Sequence, residues 1–435
     1  MRVHYHTFGC KANQYDTERM RQELEARGAV TATDYTQADV CVVNTCTVTN
    51  HADADARRFV RRLRRESPDA RIVVAGCSAA LRAADYRAMD GVEAVVPGHD
   101  PVGVAQAVDH VLPCLVQLGI RRSLDRLDME PVGGEILTRR VGATRGWVKI
   151  QDGCDRKCSF CATRLARGAS RSRKPDQIIA EARALALSHP ELVLTGIHIG
   201  HYGRDLDACT TLGGLLARLL DGVPDVRFRL GSIEASEIDD PLLQLLATSG
   251  DRVATHLHMP LQSGSDSVLR RMRRWHTRET YRARALEIAA RVTPLGLGAD
   301  VITGFPGETD EDHAQTRALI EEIPFTYLHV FPFSPREGTI AATMPDPVPQ
   351  RVASERSREL REIAQRRGRA YRESRRGERA VVVLEGGSGT ALTEDYLRVR
   401  VAGTGNRPAG ALHSAVLEGR GDDLFARLTM PTMLR

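Results

Sequence analysis

Short apolar strands alternate with polar helical stretches over the first quarter of the chain. The strands are predicted at 3–8, 40–44, 72–76 and 93–96. Helical patterns separate them at 14–27, 51–66 and 79–88. This alternation is typical of a parallel sheet that carries helices on both faces. Residues 1–114 are therefore predicted to form a doubly wound α/β domain.

A second α/β series begins at Trp147, after a stretch over 115–139 that is predicted to be a linker. Its strands are predicted at 147–151, 192–196, 227–232, 255–260, 297–304 and 327–332. Helical patterns separate them at 176–188, 212–220, 240–248, 279–292 and 310–322. Six strand–helix units fall short of the eight that close an α/β barrel. A partial (β/α)6 barrel is therefore expected, within a domain over 140–370.

The last part of the chain begins with a strongly charged helix, predicted over 351–377. Only strand-like stretches follow it, namely AVVVLEG, YLRVRVAG, HSAVLEG and FARLTM. This pattern predicts a small antiparallel β barrel over 371–435, a shape that many nucleic-acid-binding domains use.

Composition narrows the class of protein. The 435 residues contain no apolar run of the roughly 18 residues that a membrane span needs, and the first residues lack a secretory signal. A cytoplasmic protein without a membrane partner is expected. Nine cysteines are an odd number, which argues against a fully paired disulfide framework. Arginines cluster at 57–65, 164–173 and 351–379, which indicates either an anionic partner such as nucleic acid or simply solvated helix faces.

The sequence GCDRKCSFC places Cys154, Cys158 and Cys161 directly after the first strand of the second series. Three thiolates on one loop suit three irons of a 4Fe–4S cluster, which leaves the fourth iron open to an outside ligand. Zinc is the competing interpretation, but zinc sites favour paired cysteines two residues apart. We therefore predict an iron–sulfur cluster here.

Three further cysteines each follow a predicted strand of the first domain: Cys10, Cys46 and Cys77. The carboxyl ends of parallel strands meet at one edge of a sheet, where ligands bind in doubly wound folds. These positions predict a second three-point metal site. The alternative, a buried cysteine that packs as a small apolar residue, suits the other three cysteines, Cys41, Cys114 and Cys209.

Several segments together resemble the methylthiotransferases of the radical S-adenosylmethionine (SAM) superfamily, over essentially the whole chain. They are FGCKANQYDTE, VVNTCTVT, GCSA, GCDRKCSFC, VLTGIHIGHYG, LHMPLQSGSDSVLRRM, DVITGFPGETDED and HVFPFSPREGT. Within that family, ARGASRSRKP and LTEDYLRVRV resemble the MtaB-type branch, which acts on N6-threonylcarbamoyladenosine at position 37 of tRNA. One departure is that Thr163 and Arg164 stand where the family usually has an aliphatic residue and a proline.

The resemblance implies two 4Fe–4S clusters and SAM as cofactors. The Cys154 trio would hold the cluster at which SAM is cleaved to a radical, and the Cys10 trio an auxiliary cluster that carries the sulfur. The expected SAM contacts lie at successive strand ends of the partial barrel and beside the last cysteine. They are Phe160, Gly196, Ser232, Glu234, Gln262 and Asp300.

The resemblance also implies a methylthio group added to C2 of the modified adenosine, in the anticodon stem-loop of tRNA. The tail would be a TRAM domain that binds RNA, and Arg167, Arg171, Arg173 and Tyr396 are expected to contact substrate or RNA. Ion pairing to nearby carboxylates is the alternative for the arginines. A flavodoxin- or ferredoxin-type electron donor and a sulfur source are further expected partners.

Two other functions compete with this expectation. The same chemistry acts on isopentenyladenosine-37 of tRNA or on an aspartate of a ribosomal protein in other branches of the family. From another class, the chain would be a non-catalytic iron–sulfur protein that binds RNA.

Overall fold

The computed structural model describes residues 1–47, 50–111, 136–206, 210–386, 389–402 and 410–431. Most of the linker predicted over 115–139 lies outside these residues, as do Cys114 and Cys209. The domain boundaries at 114, 139 and 370 stay predictions. Among the described helices, none has the length and apolar character that a membrane crossing requires.

Five parallel strands form the first sheet, in the order β2-β1-β3-β4-β5. The strands are β1 (Arg2–Thr7), β2 (Val30–Thr31), β3 (Val40–Thr45), β4 (Arg71–Gly76) and β5 (Val92–Pro97). The helices are α1 (Lys11–Ala26), α2 (Asn50–Glu66), α3 (Cys77–Leu81), α4 (Ala83–Arg87) and α5 (Pro101–Val111). The predicted parallel α/β sheet is confirmed, whereas β2 and α5 were not predicted.

Both faces of this sheet are covered, which explains its continuous apolar strands. In β3, Val40 and Val42 belong to one hydrophobic cluster, while Cys41 and Val43 belong to the cluster on the other face. A strand buried on both sides has no polar face, so its sequence shows no alternation. Cys41 packs in this interior, as predicted for a cysteine outside the metal site.

The central part contains six parallel strands arranged as two three-stranded sheets, β6-β9-β10 and β11-β12-β13. Isolated parallel bridges at Phe228–Val253 and Ser232–His258 connect the two sheets. The strands are β6 (Arg145–Lys149), β9 (Glu191–Thr195), β10 (Arg227–Leu230), β11 (His256–His258), β12 (Gly296–Thr303) and β13 (Tyr327–Pro332). All six predicted strands are therefore present.

Seven helices of the described residues accompany these strands, and a short antiparallel pair, β7 (Gln151–Asp152) and β8 (Arg171–Ser172), lies beside β6. The helices are α6 (Thr163–Arg167), α7 (Pro175–Ala186), α8 (Leu212–Gly222), α9 (Asp240–Thr248), α10 (Asp266–Arg271), α11 (Arg278–Arg291) and α12 (Asp310–Glu322). The largest hydrophobic cluster of the described residues lies between these helices and the strands. Tyr15 of α1 belongs to it, so the first helix packs directly on the central part.

After α13 (Gln350–Ser374), five strands close a small barrel in the order β14-β15-β16-β18-β17. They are β14 (Arg379–Glu385), β15 (Thr390–Thr393), β16 (Arg398–Ala402), β17 (Leu412–Glu418) and β18 (Phe425–Pro431). The predicted barrel is confirmed with one correction, because β16 pairs with β18 in parallel while the other pairs are antiparallel. No pattern along the chain predicts that crossover.

Buried ion pairs attach this barrel to the central part. Glu191 at the start of β9 accepts from both Arg227, at 2.7 Å, and Arg229, at 2.8 Å. The same guanidinium groups donate to backbone carbonyls of the barrel, Arg227 to Val381 and Arg229 to Thr393. All three charged side chains are fully buried, so the contact excludes water.

Candidate metal centre

The first cysteine trio lies at the carboxyl ends of three neighbouring strands, as predicted. Cys10 precedes α1, Cys46 follows β3, and Cys77 is the first residue of α3. Gly9 has φ +99°, and a Cβ atom there would lie 2.4 Å from the Sγ of Cys46. Only glycine allows this approach, so the backbone itself brings the Cys10 loop against Cys46.

Cys77 lies among polar groups although its surroundings are buried. Burial raises the pKa of its thiol to about 12, and the nearby thiols of Cys10 and Cys46 add to this. The Nε of Arg167 opposes the rise, donating to the Sγ of Cys77 across 3.2 Å. The thiol of Cys77 donates to the Oδ1 of Asn13 across 3.6 Å, a bond that a ligating thiolate would lose. Arg167 is therefore the donor that would stabilise a thiolate at this position.

The second trio lies on a loop that the β7–β8 pair closes. Gly153, which opens the loop, has φ +68°, and a Cβ atom there would lie 1.8 Å from the carbonyl oxygen of Ala169. The backbone N–H of Cys154 donates to the carbonyl of Gly168 across 3.1 Å. The two ends of the loop are therefore held in contact, and the three cysteines project from the segment between them.

Each sulfur of this trio has its own polar neighbour. The Nδ1 of His198 lies 3.4 Å from the Sγ of Cys154, and Arg274 donates to the Sγ of Cys158 across 3.7 Å. The backbone N–H of Thr163 donates to the Sγ of Cys161 across 3.4 Å. Hydrogen bonds to thiolate ligands stabilise the charge that a cluster carries.

Two buried carboxylates hold the groups that contact these sulfurs. Glu237 lies 2.8 Å from the Nε2 of His198 and also accepts from Arg156, at 3.2 Å. Glu234 accepts from Arg274 across 2.5 Å. Burial raises the pKa of Glu234, although the charge of Arg274 opposes it. The carboxylates thus fix the orientation of the imidazole and the guanidinium.

A buried ion network joins the two trios. Arg167 donates to Asp152, at 2.9 Å, and to Asp16, at 2.9 Å, while Lys149 lies 2.7 Å from Asp16 and 2.6 Å from Asp152. Burial disfavours the Asp152 carboxylate, but the charges of Arg167 and Lys149 hold its pKa well below the usual range. Because Asp152 lies two residues before Cys154 and Arg167 contacts Cys77, the network links one cysteine loop to the other.

The predicted SAM contacts fall into two groups. Glu234 lies beside the second trio through Arg274, and half-buried Phe160 packs on the cluster of Val268 and Met272. Gly196 leaves no room for a side chain, since its Cβ would lie 2.7 Å from the carbonyl oxygen of Gln151.

The other three predicted contacts lie on the second three-stranded sheet or next to it. The backbone of Gln262, with φ +69°, bridges Asp300 and Ile302 beside β12. Ser232 is exposed and pairs through its backbone with His258. Burial would raise the pKa of Asp300, but hydrogen bonds from His258 and His329 hold it below its usual range.

Two of the arginines predicted to contact substrate or RNA are held by carboxylates in this structure. Arg167 is buried in the network described above. Arg173 is fully buried and pairs with Glu181 through two hydrogen bonds of 2.9 Å and 3.0 Å. Neither guanidinium is free to meet a phosphate, because nearby carboxylates already hold both. Arg171 is half-buried, and its role stays a prediction.

Tyr396, the fourth predicted RNA contact, projects from the C-terminal barrel towards the central strands. Its ring stacks on that of His256 at 4.1 Å with an interplanar angle of 19°. The Nε2 of His256 and the Nδ1 of His258 both lie within 3.0 Å of the hydroxyl of Tyr327. The ring of Tyr396 therefore packs next to a group of polar aromatic side chains on β11 and β13.

Sequence reasoning missed the residues that connect the trios. Asp16, Lys149 and Asp152 gave no signal, because an ion pair between positions 133 residues apart has no local pattern. His198 follows strand β9, but a lone histidine at a strand end has no spacing that marks it as a site residue. Lys11 and Asn13, next to Cys10 in FGCKANQYDTE, were the nearest available sign of further site residues.

Two family models match the chain. The uncharacterized protein family UPF0004 matches residues 2–98, and the Radical SAM superfamily matches residues 148–320. The threonylcarbamoyladenosine tRNA methylthiotransferase MtaB of Bacillus subtilis is 39% identical, over 85% of this chain and 81% of that protein. The protein of the same name from Rickettsia prowazekii is 34% identical, over 91% of this chain and 90% of its own length.

The chain belongs to the radical SAM methylthiotransferases. A tRNA-2-methylthio-N(6)-dimethylallyladenosine synthase from Oceanobacillus iheyensis is also similar, at 31% identity over 88% of this chain and 74% of that protein. Among solved structures, the radical SAM methyltransferase TsrM from Kitasatospora setae shares the fold with a TM-score of 0.56 and 15% identity, over 83% of this chain and 84% of that one.

The donor sets of this family member fit the two clusters that the family carries. Each trio offers three sulfurs, and Cys41 is the only other cysteine in the part of the chain that the structure describes. A cubane held by three cysteines keeps one iron open, which is the position that SAM or an external sulfur needs. The glycines at 9 and 153 allow the close approach that a compact cluster loop requires.

Proposed function

We propose that this protein adds a methylthio group to C2 of N6-threonylcarbamoyladenosine at position 37 of tRNA, in the cytoplasm where tRNA is modified. The observation that carries this proposal is the identity of 39% and 34% with proteins named for that activity, over most of both chains. The adjacency of the two cysteine trios supports it, because the reaction needs a sulfur carrier and a radical source close to the same base.

Cys154, Cys158 and Cys161 would hold the cluster that binds SAM, and Cys10, Cys46 and Cys77 the auxiliary cluster. When bound, these groups supply a radical that removes hydrogen from the adenine and a methylthio group that replaces it. His198 and Arg274 would stabilise the thiolates of the second trio, and Glu234 would orient Arg274. Arg167 would do the same for Cys77.

The RNA would lie across the C-terminal barrel, which is TRAM-like in its position and shape. Its exposed arginines are paired only with exposed or half-buried carboxylates, such as Arg400 with Asp423 at 3.2 Å and Arg398 with Glu385 at 3.0 Å. Such surface pairs contribute little, about 0–1 kcal/mol, so phosphates compete with them readily. An electron donor of flavodoxin or ferredoxin type and a separate sulfur source complete the expected partners.

Dimethylallyladenosine is the second candidate substrate, since relatives of that name reach 31% identity. It is less favoured because the threonylcarbamoyladenosine enzymes reach higher identity at comparable coverage. A substrate assay separates the two directly.

The test uses the full chain, reconstituted anaerobically with iron and sulfide. We expect about eight irons per chain, and about four when either cysteine trio is replaced by alanine. With reductant, SAM and tRNA that carries threonylcarbamoyladenosine, mass spectrometry of the nucleosides should show the methylthio product. Eight irons and SAM cleavage without that product, but with product from dimethylallyl-tRNA, would overturn the choice of substrate.

A further inference from the structure

Lys11 lies directly after Cys10, at the start of α1, and extends towards the C-terminal barrel. Its Nζ is 6.0 Å from the centre of the Tyr396 ring, and the Cζ of Arg229 is 5.4 Å from the same centre. Three segments distant in sequence therefore meet at this ring: the auxiliary cysteine loop, strand β10 and the tail.

Within the described residues, no carboxylate lies at ion-pair distance from the Nζ of Lys11, although the side chain is half-buried. Glu191, the acid whose charge acts on Lys11, is already shared by Arg227 and Arg229, with Arg145 at 3.8 Å. An enclosed cation without a counter-ion is costly, so a site that keeps one is suited to receive an anion.

The groups around Lys11 are those that recognise a nucleoside. The half-buried ring of Tyr396 rests on the buried ring of His256 at 4.1 Å, and a flat ring of this kind is a usual partner of a base. Beyond them, Asp300 lies 3.1 Å from His258 and 3.3 Å from His329, on the neighbouring strands. The face thus offers stacking surfaces, hydrogen-bonding groups and, at the end next to Cys10, one free positive charge.

We propose that Lys11 binds the carboxylate of the threonylcarbamoyl group, and so selects this substrate over a neutral N6 substituent. The inference rests on the proposed function, which supplies an adenine whose N6 side chain ends in a carboxylate. A lysine one residue from a cysteine of the sulfur-carrying trio lies within one side-chain length of the base that must meet that sulfur. Dimethylallyladenosine has no charge for this ammonium to bind.

The experiment compares two anticodon stem-loop RNAs, one with threonylcarbamoyladenosine and one with its carboxamide, which differs by one negative charge. For the wild-type enzyme, kcat/KM should be about 10- to 100-fold higher on the acid, the range of a hydrogen bond to a charged group. In K11M that preference should disappear, chiefly through KM, while K11R should retain it. K174M, which removes an exposed lysine at the start of α7, should behave as wild type.

The outcomes separate this inference from the function on which it rests. If the wild-type enzyme, loaded with both clusters, forms no product from the acid RNA, the proposed function is wrong. If it forms product equally from acid and carboxamide, or if K11M keeps the wild-type preference, only the role of Lys11 is overturned. The wild-type comparison needs no variant, so the inference can still be overturned if the K11M protein does not fold.

Discussion

Arg167 donates to the Sγ of Cys77 at 3.2 Å and to the carboxylate of Asp152 at 2.9 Å, so one guanidinium spans the two cysteine loops. The distance between a sulfur carrier and a radical source must be fixed for the chemistry to succeed. The guanidinium of arginine is planar, and its five N–H donors point in fixed directions. It therefore suits this task better than the ammonium of lysine. The arginine expected to hold RNA instead holds the two halves of the reaction site together.

Replacement of Arg167 by methionine should therefore destabilise the protein strongly. Asp16 and Asp152 would remain buried beside Lys149, with the Nε2 of His99 at 2.6 Å from Asp152, and removing one partner of such a buried network costs about 3–5 kcal/mol. Urea unfolding of the apoprotein measures this change. R164M, on the exposed side of the same helix, is the control and should stay within about 0.5 kcal/mol of wild type. If R167M and R164M changed the free energy of unfolding equally, the buried network would not be stabilising the protein.

Acid should weaken the attachment of the C-terminal barrel through Glu191. Burial opposes the charge of this carboxylate, but Arg229 and Arg227 hold its pKa below the ordinary value. Because the folded pKa is depressed, the stabilisation is complete above the unfolded pKa of about 4.3 and is lost as pH falls from there towards the folded value. We expect the free energy of unfolding of the wild type to fall over this range, and that of E191Q to start lower and fall less. If the free energy of unfolding of the wild type and of E191Q changed in parallel with pH, the Glu191 carboxylate would contribute nothing to the pH dependence of stability.

Thr163 should set the potential of the cluster that binds SAM. Its Oγ1 lies 3.2 Å from the Sγ of Cys161, where the family usually has an aliphatic residue. A thiol donates to this hydroxyl, but a ligating thiolate has no proton, so the hydroxyl must then donate to sulfur. T163V removes that donor and should lower the ratio of reduced to oxidised cluster by up to about tenfold at a fixed potential, or about 59 mV.

The measurement is an electron paramagnetic resonance titration in a C10A/C46A/C77A background, which leaves one cluster to observe. T163S keeps the hydroxyl and should match Thr163. A potential that does not move in T163V, with the cluster fully loaded, would show that the hydroxyl does not act on the sulfur.

Gly153 should be required for loading of the cluster that binds SAM. A methyl group there would meet the carbonyl oxygen of Ala169 at 1.8 Å, and φ is +68°. Gly168 has a similar φ of +74° but open space around it, so G168A is a matched control for backbone strain alone. After reconstitution, we expect about four irons in G153A and about eight in G168A. Full loading of G153A would mean that the loop closes in another way.

The sequence predicted well wherever a local pattern carried the information. Continuous apolar runs located β3 and β4, because a strand buried on both faces must be apolar throughout. The central strands, such as β10 (RFRL) and β11 (HLH), were located by their alternation with helical patterns. The strand-end positions predicted for Cys10, Cys46 and Cys77 are also those that the structure shows. What the sequence could not show is which charges meet, since Lys149 and Asp16 lie 133 residues apart.

Charge alone was therefore a poor guide to the role of an arginine. Arg167 and Arg173 lie in a basic stretch that looks like an RNA-binding segment, yet both are buried against carboxylates. The two-residue strand β2 and the parallel pairing of β16 with β18 were also missed, because short strands and crossovers depend on tertiary packing rather than on periodicity.

Under the proposed function, Tyr396 would give the C-terminal barrel a second role besides binding RNA. Its ring, stacked on His256, would make the tail part of the wall that surrounds the base, rather than an adaptor attached to a self-sufficient catalytic unit. A chimera that exchanged tails between relatives would therefore change the surroundings of the base together with RNA affinity, while Lys11 stayed with the first domain. A change of tRNA partner and a change in how the base is held would then not be independent events in evolution.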